Sequence, residues 1–291
     1  MHSLADAVAV DLDTDVAASR RLGGGDTAEA YRLELADGRI VFAKTHRDPP
    51  AGFFTTEAAG LRWLHEPAAV AIPDVLAVSD GDDGSPPRLV LEWIDEAPHR
   101  TSPTEAEFGR ALARLHRSGA PSFGRQDHRT TGSLALPNDP CGTWAEFFGQ
   151  RRLGVLVRLA ADRGALSSST LATLERTIGR LDELGGPAEP PSRLHGDLWA
   201  GNRLVDRSGR SWLIDPACHG GHREYDLAMM RLFGGFGPEC FAGYAAEWPL
   251  ANGSDERIPL HQLAPLVVHA IKFGGRYPAA TERALDAVLS I

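Results

Sequence analysis

The sequence predicts an α+β chain in two lobes: a small five-stranded antiparallel sheet with one main helix over residues 1–94, and a larger, mostly helical lobe over residues 95–291. Three observations carry this expectation. Short apolar runs broken by Gly and Asp turns crowd the first third of the chain, whereas apolar residues at helical spacing dominate the remainder. Between two of the later helical stretches lies a loop with a carboxylate at 197, an amide at 202 and a second carboxylate at 215.

Residues 16–22 read as a strand, Gly23-Gly24-Gly25-Asp26-Thr27 as a flexible turn, and residues 28–35 as a second strand. Three glycines in a row let backbone N–H groups approach phosphate oxygens, which makes Gly23, Gly24 and Gly25 nucleotide-site candidates. Alone, the run reads as an ordinary turn, because it departs from the spaced G-x-G-x-x-G pattern. The Asp37-Gly38 turn leads to a third strand, Ile40-Val41-Phe42-Ala43-Lys44, in which a lysine closes an apolar run. Over residues 52–66, Phe53, Phe54, Leu61 and Leu64 recur at helical intervals, and Glu57 lies four residues from both Phe53 and Leu61 on the same face. A carboxylate on a buried stripe needs a partner, and Lys44 is the natural one; the alternative makes Glu57 a first-turn acid favoured by the helix dipole. Residues 73–79 and 88–93 complete the sheet on either side of the polar loop 80–87.

Beyond residue 95 the expected helices follow one another. Phe108, Leu112 and Leu115 line one that ends near Ser118-Gly119, and Trp144, Phe147, Phe148 and Leu156 mark a second, long one. A third covers residues 171–184 and is stopped by Gly185-Gly186-Pro187. Others are expected over residues 225–233, 238–248, 259–273 and 279–291. Residues 121–140, rich in Gly, Pro and Asn, read as an extended loop that helps to shape a substrate cleft.

The chemistry concentrates in His195-Gly196-Asp197-Leu198-Trp199-Ala200-Gly201-Asn202, followed after a Ser208-Gly209 turn by the apolar strand Trp212-Leu213-Ile214 and then Asp215. His195, Asp197 and Asn202 satisfy the kinase pattern H-x-D-x-x-x-x-N, and Asp215 supplies the later acid. Phosphoryl transfer needs one group to orient the attacking hydroxyl and accept its proton, and others to hold Mg²⁺ against phosphate oxygens. Asp197 suits the first role. Asn202 and Asp215 suit the second, since Mg²⁺ is a hard cation that takes a few oxygen ligands and keeps several waters. His195 reads as a loop anchor, because Asp197 already fills the role of base. On the same plan Lys44, paired with Glu57, meets the α- and β-phosphates of ATP, and Glu92, Trp93 and Ile94 are adenine candidates through their main-chain groups. Gly196 replaces the arginine usual in protein kinases, which points toward small-molecule kinases.

On these residues the chain resembles the fructosamine kinase (ketosamine-3-kinase) family, a branch of the aminoglycoside phosphotransferase and choline kinase group within the protein-kinase-like fold. The resemblance spans nearly the whole length. Its narrow marks are Trp199 beside the H-G-D motif, Asp215-Pro216-Ala217, the run Gly221-His222-Arg223-Glu224-Tyr225-Asp226-Leu227-Ala228, and Leu232-Phe233-Gly234-Gly235-Phe236. The resemblance implies ATP- and Mg²⁺-dependent phosphorylation of a ketosamine, free or protein-bound, at its 3-hydroxyl, leading to deglycation. It also implies that Trp199 offers the sugar an apolar platform, with core packing as the alternative, and that Asp226 braces the catalytic-loop backbone. Two other readings stand beside it: a related kinase acting on an aminoglycoside, choline or another amino alcohol, and a non-catalytic nucleotide-binding protein, disfavoured because Lys44, Glu57, Asp197, Asn202 and Asp215 are all present. Some relatives carry a cysteine after the third glycine; Asp26 stands there instead, so no redox switching is expected in this loop.

Composition agrees. A formal net charge of −9 disfavours a nucleic-acid partner, which would need clustered Lys and Arg. Three cysteines without a C-x-x-C pair favour a reducing cytoplasm over a disulfide scaffold. No run approaches transmembrane length, and the acidic start does not resemble a secretion signal. His219 and His222 lack a third ligand cluster at suitable spacing, so no transition-metal site is expected, and a monomer is the expected state.

Overall fold

A computed structural model describes residues 3–23, 28–81, 84–97, 101–127, 129–130, 132 and 134–290. They group into two compact units. One comprises the chain up to Thr101 together with Asn202–Pro216, and the other comprises Ser102–Gly201 and the chain from Ala217 onward. The linear division at residue 94 left the segment 202–216 with the second lobe, whereas its contacts place it in the first unit.

The first unit opens with a helix that the sequence reading did not assign, α1 (Leu4–Leu12). Its start is a capping box: the Ser3 hydroxyl accepts the Asp6 N–H at 3.2 Å, and the Asp6 carboxylate accepts the Ser3 N–H at 2.9 Å. The signature was hidden by aspartate in the place usually held by glutamate. Val8 on α1 packs against Leu33, Leu35, Val41, Ala43 and Val90 of the sheet, and Arg88 clamps Asp11 through two bonds of 2.5 and 2.6 Å.

The sheet is five-stranded and antiparallel, as expected. It comprises β1 (Val16–Leu22), β2 (Glu29–Leu35), β3 (Ile40–Thr45), β4 (Val75–Ser79) and β5 (Arg88–Glu92), in the order β1-β2-β3-β5-β4. Lys44 on β3 stands opposite Ala30 on one side and Leu89 on the other. Between β3 and β4, α2 (Phe53–His65) buries Phe54, Ala58, Leu61 and Leu64. Its Gly52 cap has no side chain, so Asp80 from the following loop accepts the Phe54 and Thr55 N–H groups at 2.8 and 3.3 Å.

The second unit begins with α3 (Ser102–Arg117). The long aromatic helix is interrupted: α4 (Trp144–Phe147) passes through a π-helical turn, Phe148–Leu153, into α5 (Gly154–Asp162). The stretch expected as one helix over 171–184 is two, α6 (Ser168–Ile178), capped by Ser167, and α7 (Leu181–Leu184), with Gly179 between them. The short strand β6 (Ser192–Leu194) precedes the motif loop, which ends in a 3₁₀ turn, Ala200–Asn202. There the chain rejoins the first unit as a hairpin of β7 (Arg203–Val205) and β8 (Ser211–Leu213). The second unit resumes with β9 (His219–Gly221), which pairs with β6, and with α8 (Glu224–Phe233), α9 (Pro238–Glu247), α10 (Ser254–Phe273) and α11 (Tyr277–Leu289). Helix α10 begins five residues earlier than Pro259 suggested, because Asp255 and Glu256 stabilise its first turn. Phe147, Phe148, Leu156, Leu174, Leu263, Val267 and Val288 form the heart of this unit's core. Among the described residues no helix is long and apolar enough to cross a membrane.

Candidate active site

The predicted residues fall into two constellations, one in each unit. In the first unit, Lys44 Nζ donates to Glu57 Oε1 at 2.8 Å and also to Asp215 Oδ1. Strand β3, helix α2 and the end of the β7–β8 hairpin thus meet at one ammonium. Burial penalises the Lys44 charge, but the carboxylates of Glu57 and Asp215 outweigh that penalty and hold its pKa above that of free lysine. Burial pushes the Glu57 carboxyl upward against the opposing pull of Lys44, and the negative charge of Asp215 adds to the rise. Asp215 adopts a left-handed backbone, φ 54°, a strained conformation for a residue with a Cβ and one that concentrates at functional sites. Asn202 is 5% exposed; its carbonyl accepts the Ile214 N–H at 3.1 Å, and its Nδ2 donates to the Asp215 carbonyl at 3.4 Å. The hairpin turn between them is tied by Asp206, which accepts from Ser208 N, Arg210 N and Trp212 Nε1 at 2.8, 3.1 and 2.8 Å.

Other first-unit candidates are less concentrated. Gly23 follows β1 directly, while Gly24, Gly25 and Asp26 lie outside the described residues. The Glu92 N–H is committed to the Asp74 carbonyl at 3.0 Å, so it is not the adenine donor. Trp93 carries the Arg32 guanidinium 5.4 Å above its ring, and Ile94 is buried at the end of the sheet.

In the second unit, the backbone of the motif loop is fixed from beneath. Asp226, fully buried on the first turn of α8, accepts the His195 and Gly196 N–H groups at 2.8 and 2.9 Å. Burial favours its protonated form, but the His116 imidazole and these backbone donors prevail and hold the carboxyl below its ordinary range. His195 is itself buried and accepts the Asp197 N–H on Nδ1 at 3.2 Å, while its carbonyl accepts the Ala217 N–H at 2.9 Å. Gly196 has φ 80°, and a Cβ there would stand 2.1 Å from the Ala217 carbonyl oxygen. The close approach of two backbones therefore explains why glycine occupies this position. Trp199 is 43% exposed. Its indole lies over Gly201, where a Cβ would come within 2.3 Å of Cη2.

Two members of this constellation, His116 and Tyr244, escaped the sequence reading. His116 on α3, fully buried, bonds Tyr244 of α9 through Nδ1 at 2.8 Å and Asp226 through Nε2 at 3.2 Å. The available signal was a polar residue on the apolar face of α3, one turn beyond Leu112, the same argument that singled out Glu57. The run 221–228 turns its charges inward: Arg223 grips Glu189 at 2.7 and 2.8 Å and stacks on Trp248, and Arg257 grips Glu224 at 2.9 and 2.6 Å. Its narrow sequence signature thus records a buried scaffold.

A lysine–glutamate pair on sheet and helix, an acid after a hairpin, and a braced H-G-D loop on a helical unit define a protein-kinase-like phosphotransferase. The chain belongs to the fructosamine kinase family, whose model matches residues 3–291. It is 33% identical over 264 residues to a probable ketoamine kinase of Enterococcus faecium, covering 90% of this chain and 92% of that protein. The crystal structure of a Thermobifida fusca protein assigned as a fructosamine-3-kinase superposes with a TM-score of 0.91 at 40% identity, covering 99% of both chains. The choline kinase LicA of Streptococcus pneumoniae shares the fold, with a TM-score of 0.66 at 17% identity over 98% of this chain and 97% of that one.

Proposed function

We propose that this kinase transfers the γ-phosphoryl group of ATP to the 3-hydroxyl of a ketosamine, free or protein-bound, in the cytoplasm, and that the phosphorylated adduct then decomposes to release its amine. The observation that carries the reading is the Lys44 ammonium paired with Glu57, the ion pair that a kinase must have in place to position phosphates, with Asp215, the acid proposed for the metal, drawn to the same ammonium. Asp197 orients the acceptor hydroxyl and takes its proton. Asp226 and His195 fix the backbone of the loop that carries Asp197, and Trp199 offers an exposed ring to the sugar carbons. Lys44 holds the α- and β-phosphates. Asn202 and Asp215, joined by a 3.4 Å hydrogen bond, present an amide and a carboxylate, a hard oxygen set that suits Mg²⁺. When bound, the ion neutralises charge on the phosphate oxygens. Neither nucleic acid nor membrane is a partner in this reading, and the working species is the monomer.

The test is an ATP-consumption assay with Mg²⁺ across fructosyl-lysine, ribulosyl-lysine, an aminoglycoside and choline, with phosphorus NMR to locate the ester and an amine assay on the products. Activity on a ketosamine, abolished in Asp197→Asn, is the expected result. Turnover of the antibiotic or choline but of no ketosamine would overturn the substrate, and full activity in Asp197→Asn would overturn the base.

A further inference from the structure

Away from the motif loop, the second unit buries a set of donors that none of these roles uses. His222 follows β9, Glu224 begins α8, and His261 sits in the middle of α10; each brings one donor atom within 4.8 Å of the others. His261 is fully buried, and His222 and Glu224 are 3% and 4% exposed. The two imidazoles stack with centroids 5.3 Å apart. Among the described residues neither ring nitrogen of His261, nor Nε2 of His222, has a hydrogen-bond partner, while His222 Nδ1 accepts the Glu224 N–H at 3.3 Å. His261 Nε2 lies 3.4 Å from Glu224 Oε2, an ion-pair contact, and His222 Nε2 lies 4.0 Å from Glu189 Oε2. Each buried polar atom left in that condition costs about 1–3 kcal/mol, so three in one place point to something that satisfies them together.

We propose that His222, His261 and Glu224 form a buried site for a divalent transition-metal ion of the zinc type. Two imidazoles and one carboxylate are a donor set that zinc accepts, with a fourth position left for water or for Glu189. The same set discriminates against Mg²⁺, which prefers all-oxygen ligation, so this ion does not compete with the one assigned to Asn202 and Asp215. Arg257 does not bar the site. It holds Glu224 by two bonds, as groups outside the ligands commonly do, and each carboxylate oxygen keeps a second lone pair for the metal. Trp144 and Phe148, with rings about 6 Å from His261, wall the donors with apolar surface. Glu224 also borders a cavity of about 340 Å³ lined by Ser254 and Asp255. Bonds of about 2.0–2.1 Å require the donors, now within 4.8 Å, to close to about 3.4 Å from one another when the ion binds. The bound ion staples the start of α8 to α10 two residues before Asp226.

The experiment uses the full-length, tag-free protein, stripped with a chelator and titrated with Zn²⁺ against a chromophoric competitor, and in parallel with Co²⁺ followed by absorption spectroscopy. The expected result is one equivalent bound per chain, with a tetrahedral Co²⁺ spectrum. His222→Phe and His261→Phe should each weaken binding at least about tenfold, whereas His261→Cys should retain one equivalent and add a thiolate-to-cobalt charge-transfer band. Circular dichroism checks that each variant is folded. Failure of the wild-type protein to bind one equivalent overturns the proposal, as does stoichiometric binding that both phenylalanine variants retain. Should the phenylalanine variants not fold, bound Co²⁺ without the thiolate band in His261→Cys is equally decisive against it.

Discussion

Replacing Asp226 by asparagine removes one charge from beneath the motif loop while keeping the shape of the side chain. The carboxylate accepts three donors, His195 N at 2.8 Å, Gly196 N at 2.9 Å and His116 Nε2 at 3.2 Å. Asparagine has one acceptor oxygen and one NH₂, so at least one of these donors must face another donor. A hydrogen bond to a charged acceptor contributes about 1.5–3 kcal/mol, a neutral one about 0.5–1.5, and a buried donor left unmet costs about 1–3. One unmet donor and two weakened bonds sum to about 3–6 kcal/mol, which overlaps the roughly 3–5 kcal/mol typical when one partner of a buried charge pair is removed. Typical domains hold about 5–15 kcal/mol, so the variant should still fold and its loss should be measurable by urea denaturation. Turnover should fall at least tenfold, about 1.4 kcal/mol of barrier, with little change in KM for ATP, because Lys44, Glu57, Asn202 and Asp215 do not depend on Asp226. The folded-state pKa of Asp226 lies below its ordinary value of 3.8. The stability it contributes is therefore present above that pH and is lost as pH falls through the folded value, so wild type and variant should converge in strong acid. A stability difference under about 1 kcal/mol at pH 7, with unchanged turnover, would refute the brace.

Lys44→Met leaves Glu57 and Asp215 facing each other without their cation, and activity should fall at least about 100-fold, as when one charge-stabilising donor is removed; near-normal turnover would contradict the role given to Lys44. Gly196→Ala sets a Cβ 2.1 Å from the Ala217 oxygen at φ 80°; a loss of about 1–3 kcal/mol for the conformation alone, plus the clash, should appear in thermal unfolding together with loss of activity. Trp199→Ala should change stability by no more than about 0.5 kcal/mol, since the ring is largely outside the core, yet raise KM for the ketosamine and leave KM for ATP alone, as initial-rate kinetics would reveal. Burial, aided by the Arg152 charge, pushes the His219 imidazole down to about 3. The unfolded chain binds that proton near pH 6.5, so stability is full above 6.5 and declines toward 3 by up to about 1.4 kcal/mol per pH unit; His219→Asn should flatten this slope in pH-dependent denaturation.

Much of this was legible because the signals were local. Period-two and helical patterns located every strand of the sheet and most helices, and the 195–215 motif fixed its own order of residues. Lys44 and Glu57 were joined by one physical argument, a carboxylate on a buried stripe. The parts that stayed hidden depend on contacts remote in sequence. His116 meets Tyr244 and Asp226 across more than a hundred residues, and His261 reaches His222 only because α10 packs beside α8. Gly196 marks the small-molecule branch in sequence, and the physical cause, the Ala217 carbonyl pressed against it, shows only in the fold. The π-helical turn at Phe148–Leu153 has no periodic signature distinct from the α-helices on either side. The split of 171–184 turned on Gly179, a single residue whose cost propensity alone understated.

The return of Asn202–Pro216 to the first unit has a consequence for how the chain is made. The sheet and α2 leave the ribosome early, but Asp215 and the hairpin whose Leu213 N–H bonds the Ala71 carbonyl at 2.9 Å emerge only after Ser102–Gly201 has been synthesised, a wait of about 5–20 s at ordinary translation speeds. Until then Lys44 has Glu57 alone, and the nascent lobe lacks both residues proposed to hold magnesium. A gene fragment ending at Thr101 would reproduce that half-built state permanently. Exchange of this lobe between relatives accordingly needs three junctions, at Thr101, Gly201 and Pro216, where a contiguous domain would need one.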